Sequence, residues 1–478
     1  MSITVWSTAR EMAAAVAAKE ISARELLELH LDRIAAVNPK VNAVVSLDAE
    51  RAREGAAAAD EALARGEKVG PLHGLPHAFK DTHEAAGWPT SFGSPLRHDY
   101  VSRHDELLVE RIRGAGAVTI GKTNVPEWAA GSHTFNPIFG TTRNPYDLSR
   151  SAGGSSGGAA AALASGMVPL ADGSDMGGSL RNPASFCNVV GLRPSVGRVP
   201  DWPKANYWEL LSVGGPMARN VEDLALLLSV IAGPTRRDRM ALGDPGASFA
   251  PPLAPDPSVL AGLRVALSTD LGGVFEVDAQ VAGVVEAQAA VFESAGGHVE
   301  RDHLDVTGAE QAFRTLRAWL FQATYGQMLA KRPDGFKPSL ADNIRAGESL
   351  TGADVWAAHQ RMTSLGNRVR KFFERYDVLV LPVSQVPPFD ADEEYPATIN
   401  GRTQETYLDW MRSCFLITVT GCPAISVPAG FTTEGWPVGV QIVAPPKAER
   451  RLLEVAHAFE QLTRVAERRP DLGEEVSS

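Results

Sequence analysis

The chain has 478 residues, 44% of them apolar, so it can bury a large core, and its length alone would allow two or three domains. Its 46 lysines and arginines against 57 aspartates and glutamates leave a formal charge of −11, which argues against a basic nucleic-acid surface or one that binds anionic membranes. Three scattered cysteines, Cys187, Cys414 and Cys422, lack CxxC spacing and suggest neither a disulfide framework nor a zinc site.

The N-terminal run Met1 to Trp6 has no charged region followed by an apolar core, and no stretch approaches the roughly 18 apolar residues of a membrane span. A cytoplasmic protein is expected. From residue 8 to 66 the pattern is helical: Met12, Val16, Ile21, Leu26, Leu27, Leu31 and Ile34 recur at three- and four-residue steps, and Asn38-Pro39 is expected to stop them. An alanine-rich helix follows. From Gly70 short segments broken by Gly and Pro predict alternating α/β structure, with a buried strand at 116–120 behind the amphipathic helix of Leu107, Leu108 and Ile112. Residues 143–151 form a polar loop, 159–164 a small-residue helix and 168–171 a short strand. A Pro/Gly/Asp-rich connector spans about 234–257, and 263–267 restarts as a strand before a helix at 281–292. Residues 313–375 are mostly helical, 377–382 is a buried strand, and 424–427 with 437–443 make a hairpin-like pair.

The most informative segments are Ser151–Ala159, with the pair Ser155-Ser156 between glycines, and Gly173–Arg181, with Ser179. Glycines on both sides let hydroxyls and backbone amides crowd around one reacting atom. A serine hydroxyl needs a neighbouring base, histidine or lysine, to attack at neutral pH. Gly153–Gly157 formally satisfies G-x-S-x-G, but the polar stretch before it supplies no apolar strand for a nucleophile elbow. GxxxxGK[ST] is absent, so a phosphate cradle is disfavoured. A flexible surface loop remains the bland reading of the cluster by itself. None of His73, His77, His83, His98, His104 and His133 forms an HxxxH or HExxH pattern with an acidic third ligand, and Cys187 has no adjoining base. Neither metal nor cofactor is expected.

Taken in order, Gly74–Asp81, Gly121–Glu127, Ser151–Ala159 and Gly173–Pro194, then Cys422–Pro428 and Gly435–Val443, resemble the amidase signature family of serine hydrolases across nearly the whole chain. The resemblance implies a single α/β domain over 1–478, a large twisted mixed β-sheet surrounded by α-helices. Within it lie a signature core at about 70–233 and a variable substrate-pocket region at about 313–406. It assigns a Ser-Ser-Lys triad to Lys80, Ser155 and Ser179. Ser179 would attack the acyl carbonyl, Ser155, on a cis peptide bond, would relay the proton, and Lys80 would be the base. It places an oxyanion hole in the backbone amides of Met176, Gly177 and Gly178, together with that of Ser179. Many relatives carry Thr where Met176 stands, which implies a pocket better suited to apolar acyl groups.

To accept a proton Lys80 must be neutral, which takes a fall of about three pKa units, about 4 kcal/mol, supplied by burial. Asp81 is therefore expected to point away. Ser156, Asp175 and Arg181 are supporting residues, the last two as an ion pair bracing the loop. Trp128, His133, Phe135, Trp202, Tyr207 and Trp208 are expected either to wall the substrate pockets or to pack as core aromatics. The function implied is hydrolysis of a small-molecule carboxamide through a serine acyl-enzyme. The amidase subunit of a tRNA-dependent amidotransferase, and an esterase, carbamate or cyclic-amide hydrolase with the same triad, stay open. Nucleic acid and membrane are not expected as partners, and a homodimer is compatible with the sequence.

Overall fold

Side chains that accept the first free amides mark several helix starts: Thr8 with Glu11, Ser22 with Glu25 and Thr351 with Asp354 form reciprocal caps on Ala9–Ala17, Ala23–Val41 and Gly352–Arg375. The computed structural model describes residues 3–253 and 257–473. In it, 8–66 holds three helices, Ala9–Ala17, Ala23–Val41 and Ala49–Ala64, with a two-residue strand, Val44–Val45, before the third. The second helix does not stop at Asn38-Pro39. Pro39 lies in its last turn, where a missing amide costs one hydrogen bond, and the chain leaves at Asn42 with a left-handed φ of 56°. Asn38 Oδ1 then accepts from the amides of Ala43 and Val44, which fixes the exit.

Two sheets meet around the glycine-serine loop. The smaller has the order Val44–Val45, Val118–Thr123, Pro76–Lys80, the last two strands parallel. The larger has eight strands in the order His298–Arg301, Arg264–Leu267, Val378–Pro382, Pro437–Val443, Ala424–Phe431, Val190–Arg193, Val213–Ala218, Leu170–Asp175. Its first three strands are parallel and every later pairing is antiparallel. Central strands read as unbroken apolar runs because helices cover both faces. Val378 and Val380 pack with Leu452, Leu453 and Phe459, whereas Leu379 and Leu381 pack with Phe313 and Phe415. The chain is a single α/β domain with a large mixed sheet flanked by helices.

Several expected elements shift. The strand expected at 168–171 runs over Leu170–Asp175, and the polar loop at 143–151 is a small hairpin of Arg143–Asn144 and Asp147–Ser151. Residues 313–375 divide into Ala309–Lys331, Pro338–Arg345 and Gly352–Arg375. The connector holds a 3-10 turn at Gly246–Phe249; its residues 254–256, like 1–2 and 474–478, lie outside the described residues. The small-residue helix Gly157–Ala164 is buried along its entire length. Only glycine fits at 158, where a Cβ would stand 2.3 Å from the backbone nitrogen of Asn124. Among the described residues no helix is long and apolar enough to cross a membrane.

Candidate active site

Lys80 ends the strand Pro76–Lys80 and is fully buried. Its Nζ lies 2.8 Å from Ser155 Oγ, 2.9 Å from Ser156 Oγ and 3.0 Å from Ser174 Oγ. Among the described residues no hydrogen bond joins it to Ser179 Oγ or to a carboxylate. Asp81 turns the other way along the strand, and its carboxylate accepts from Ser91 and Gly93 beside Lys122. Burial pushes the Lys80 amine down from its ordinary 10.5 to about 7, against the upward pull of Asp172 and Asp175. Both acids are engaged elsewhere. Asp172 binds His77 Nε2 at 2.8 Å and accepts the backbone amide of Lys80 at 3.2 Å. Asp175 accepts from Arg181 at 2.9 Å and 3.0 Å and lies against Arg193. Although burial opposes it, the two guanidiniums hold Asp175 far below the usual carboxylate range.

Strand alternation sorts these groups. Along Leu170–Asp175, Asp172 and Ser174 face Lys80, while Asp175 faces the opposite side. Ser155 follows the cis peptide bond Gly154–Ser155, just ahead of the buried helix. Its loop is braced from three sides: Thr134 Oγ1 donates to Gly153 O, Gly154 N donates to Asn182 Oδ1, and Ser151 Oγ lies 2.6 Å from His133 Nδ1. His133 Nε2 faces the Ala391 carbonyl at 3.0 Å, so Nε2 carries the hydrogen and Nδ1 accepts from Ser151. Burial pushes that imidazole down to about 4. Of the two roles left open for it, His133 takes the packed one, a buried neutral brace of the loop.

Ser179, 6% exposed, lies between the strand Leu170–Asp175 and the helix Arg181–Phe186, and its carbonyl accepts from Ser156 N at 3.2 Å. Of the four amides expected there, one is already engaged. Gly178 N donates to Asp175 Oδ1 at 3.0 Å, because a charged acceptor inside the loop captures it. The amides of Gly177 and Ser179 have no partner among the described residues. Gly178 also holds a φ of 119° against Cys414, a conformation and a clearance that glycine alone satisfies. The Asp175–Arg181 pair is fully buried, and Arg181 Nη1 further donates to Cys414 O and Gln441 Oε1.

The aromatic candidates part company. Trp128 packs in a buried cluster with Phe92, Tyr325 and Phe336, to which Met176 also belongs, and Phe135 lies between His133 and Lys337. Trp202 lines a cavity of about 160 Å³ with His83, Glu106, Asp201 and Ser174, on another side of Lys80's hydroxyl partners. Tyr207 donates to Arg237 O, and Trp208 is 62% exposed against Arg239, so both are held by the connector and not by the serines. The three cysteines are buried, and burial raises Cys187, Cys414 and Cys422. Ser174, Asp172 and Arg193 are parts of the cluster that motif reading passed over. The two-residue period from Asp172 to Ser174 was the signal for the first two.

A family model described as Amidase matches residues 25–453. The chain is 36% identical over 469 residues to an acylamidase of Rhodococcus erythropolis, covering 97% of each protein. It is also 36% identical to a glutamyl-tRNA(Gln) amidotransferase subunit of Moorella thermoacetica, over 98% of each. Its fold is similar to the crystal structure of a bacterial aryl acylamidase of the amidase signature family, with a TM-score of 0.90 and 30% identity, covering 98% of this chain and 99% of that one.

Proposed function

This chain belongs to the amidase signature family and hydrolyses carboxamide C–N bonds other than peptide bonds; on that premise we propose that Ser179 is its nucleophile, Ser155 its proton relay and Lys80 its base. The observation that carries the reading is a fully buried amine 2.8 Å from Ser155 Oγ, free of any bound carboxylate and held near neutrality. A neutral amine has two N–H donors and one lone pair. Three surrounding hydroxyls match all three, and in this reading Ser155 donates to the lone pair; among the described residues no hydrogen bond joins Ser155 Oγ to Ser179 Oγ, so the two hydroxyls must close on one another for the relay to run. As Ser179 Oγ bonds to the carbonyl carbon, its proton passes to Ser155 and the Ser155 proton to Lys80. The amides of Gly177 and Ser179 would meet the oxyanion, with the loop around Met176 held in shape by Asp175, and each such donor is worth about 3 kcal/mol. Reverse transfer protonates the leaving amine, and water then releases the acid.

The test is covalent. An activated acyl ester incubated with the enzyme and quenched in acid should leave one acyl group on the peptide containing Ser179. Ser179→Ala should carry no adduct and lose about four or more orders of magnitude in amide turnover. An adduct on another residue would refute the assignment. Equal identity to one chain of an amidotransferase favours a second reading, a protein that works with partners. Turnover of amides by the isolated chain argues against it.

A further inference from the structure

We propose that Arg317 binds a carboxylate on the substrate, which makes the preferred substrates carboxylate-bearing amides; this rests on the reading of Ser179 and its flanking loop as the reaction centre. The helix Ala309–Lys331 crosses that loop with three residues spaced by four. Phe313 lies against Gly177, its Cζ 3.4 Å from where a Cβ would be, Arg317 reaches Met176, and Phe321 follows one turn later. Arg317 is only 4% exposed. Its Nη1 donates to Met176 Sδ at 2.9 Å, its Nη2 donates to Tyr407 Oη at 2.8 Å, and its buried Nε has no partner. Tyr407 in turn donates to Asn343 Oδ1 at 3.3 Å.

A guanidinium is charged at any working pH, and a buried charge without a countercharge is costly. Among the described residues no carboxylate lies within salt-bridge distance of Arg317. The acids of the elements around it are taken: Glu310 and Asp409 by Arg314 and Arg412, Glu394 by Lys337 and Ser339, Glu127 by Ser94 and the Lys337 amide. The Phe321 ring, 4.1 Å from the guanidinium carbon, offsets part of the charge but gives it no acceptor. The sulfur in the acceptor position is the weakest acceptor a side chain offers, on an unbranched chain with three rotatable bonds. A carboxylate that displaced it would gain a two-pronged, charge-assisted contact beside the loop that precedes the nucleophile. Met176 alone implied an apolar acyl pocket; Arg317 gives that pocket a charge.

The test uses three matched anilides. One carries a carboxylate on the acyl chain (succinanilate), one carries it on the amine (4-butyramidobenzoate), and butyranilide is neutral. The wild-type kcat/KM for one carboxylate-bearing amide should exceed that for butyranilide by on the order of 100-fold, and which one does so says on which side Arg317 acts. In Arg317→Met that ratio should collapse towards one, chiefly through KM, and Arg317→Lys, which keeps the charge without the fork, should retain part of it. Should Arg317→Met fail to fold, Arg317→Lys and Arg317→Gln carry the comparison. A wild-type ratio near one, or a ratio unmoved by folded Arg317 variants, overturns the proposal. Calorimetric binding of the two carboxylate-bearing anilides to Ser179→Ala, with and without Arg317→Gln, separates the two readings. Arg317-dependent binding by a protein that turns over no amide would sink the catalytic assignment and keep this one. Turnover with Arg317-independent binding would do the reverse.

Discussion

At Lys80 the decisive quantity is a proton. Its three neighbours are hydroxyls and its nearest acids are bound to other donors, so burial sets its pKa near 7. The reactive form is the free amine. kcat/KM should therefore rise about tenfold per pH unit below about 7 and level off above it. His83 is the other group nearby that needs exclusion: burial lowers its pKa, but Glu106 and Asp172 outweigh that and raise it. The acid limb should persist in His83→Gln and be lost with the activity in Lys80→Met. A profile flat from pH 5 to 8 would contradict a lysine base. The proposed triad was legible through the family resemblance carried by Gly74–Asp81, Ser151–Ala159 and Gly173–Pro194, because the glycine-serine cluster alone fits a surface loop equally well. Arg317 was not, since an arginine four residues from two phenylalanines on a helix also describes an outward-facing side chain. Its burial depends on the loop it crosses, which no local pattern announces.

Among the elements, the helix Gly157–Ala164 sets the position of Ser155 and Ser156 because it begins where they end. Its residues are small because the strand Val118–Thr123 and the chain after it press directly on its backbone. Gly158 marks the tightest point, where an added methyl group would lie 2.3 Å from Asn124 N and 2.6 Å from Asn124 O. Backbone atoms cannot rotate aside. Gly158→Ala, normally a gain in a helix, should here lower unfolding free energy by about 1–3 kcal/mol or more and reduce turnover as the serines shift. Denaturant unfolding measures the first and amide turnover the second; an unchanged midpoint would show that the helix has room to move. Long periodic helices and apolar strands were readable from the chain. Short elements such as Val44–Val45 and the hairpin at Arg143–Ser151 were not, because their pairing is fixed by partners far away and not by local preference.

The site exists only when the whole molecule has folded. Lys80 comes from the small sheet, Ser174 from the edge strand of the large one, 94 positions away in sequence, and Ser155 from the loop between. No short segment could disclose the order of eight strands or the change from parallel to antiparallel pairing, which rests on contacts between distant parts of the chain. That assembly carries a thermodynamic signature. Folding lowers the Lys80 pKa from about 10.5 to about 7, so between those values the unfolded chain holds a proton the folded one lacks. Stability then rises with pH across the window, by about 1.4 kcal/mol per unit for this group. Below pH 7 both states are protonated and the full penalty of the buried ammonium is present. Comparing wild type with Lys80→Met removes the other titrations from the difference. The wild-type protein should gain on the variant by about 4 kcal/mol between pH 7 and 10, read from unfolding curves at several pH values. A difference independent of pH would mean that the amine keeps its ordinary affinity for protons in the folded state, and the base would have to be sought elsewhere.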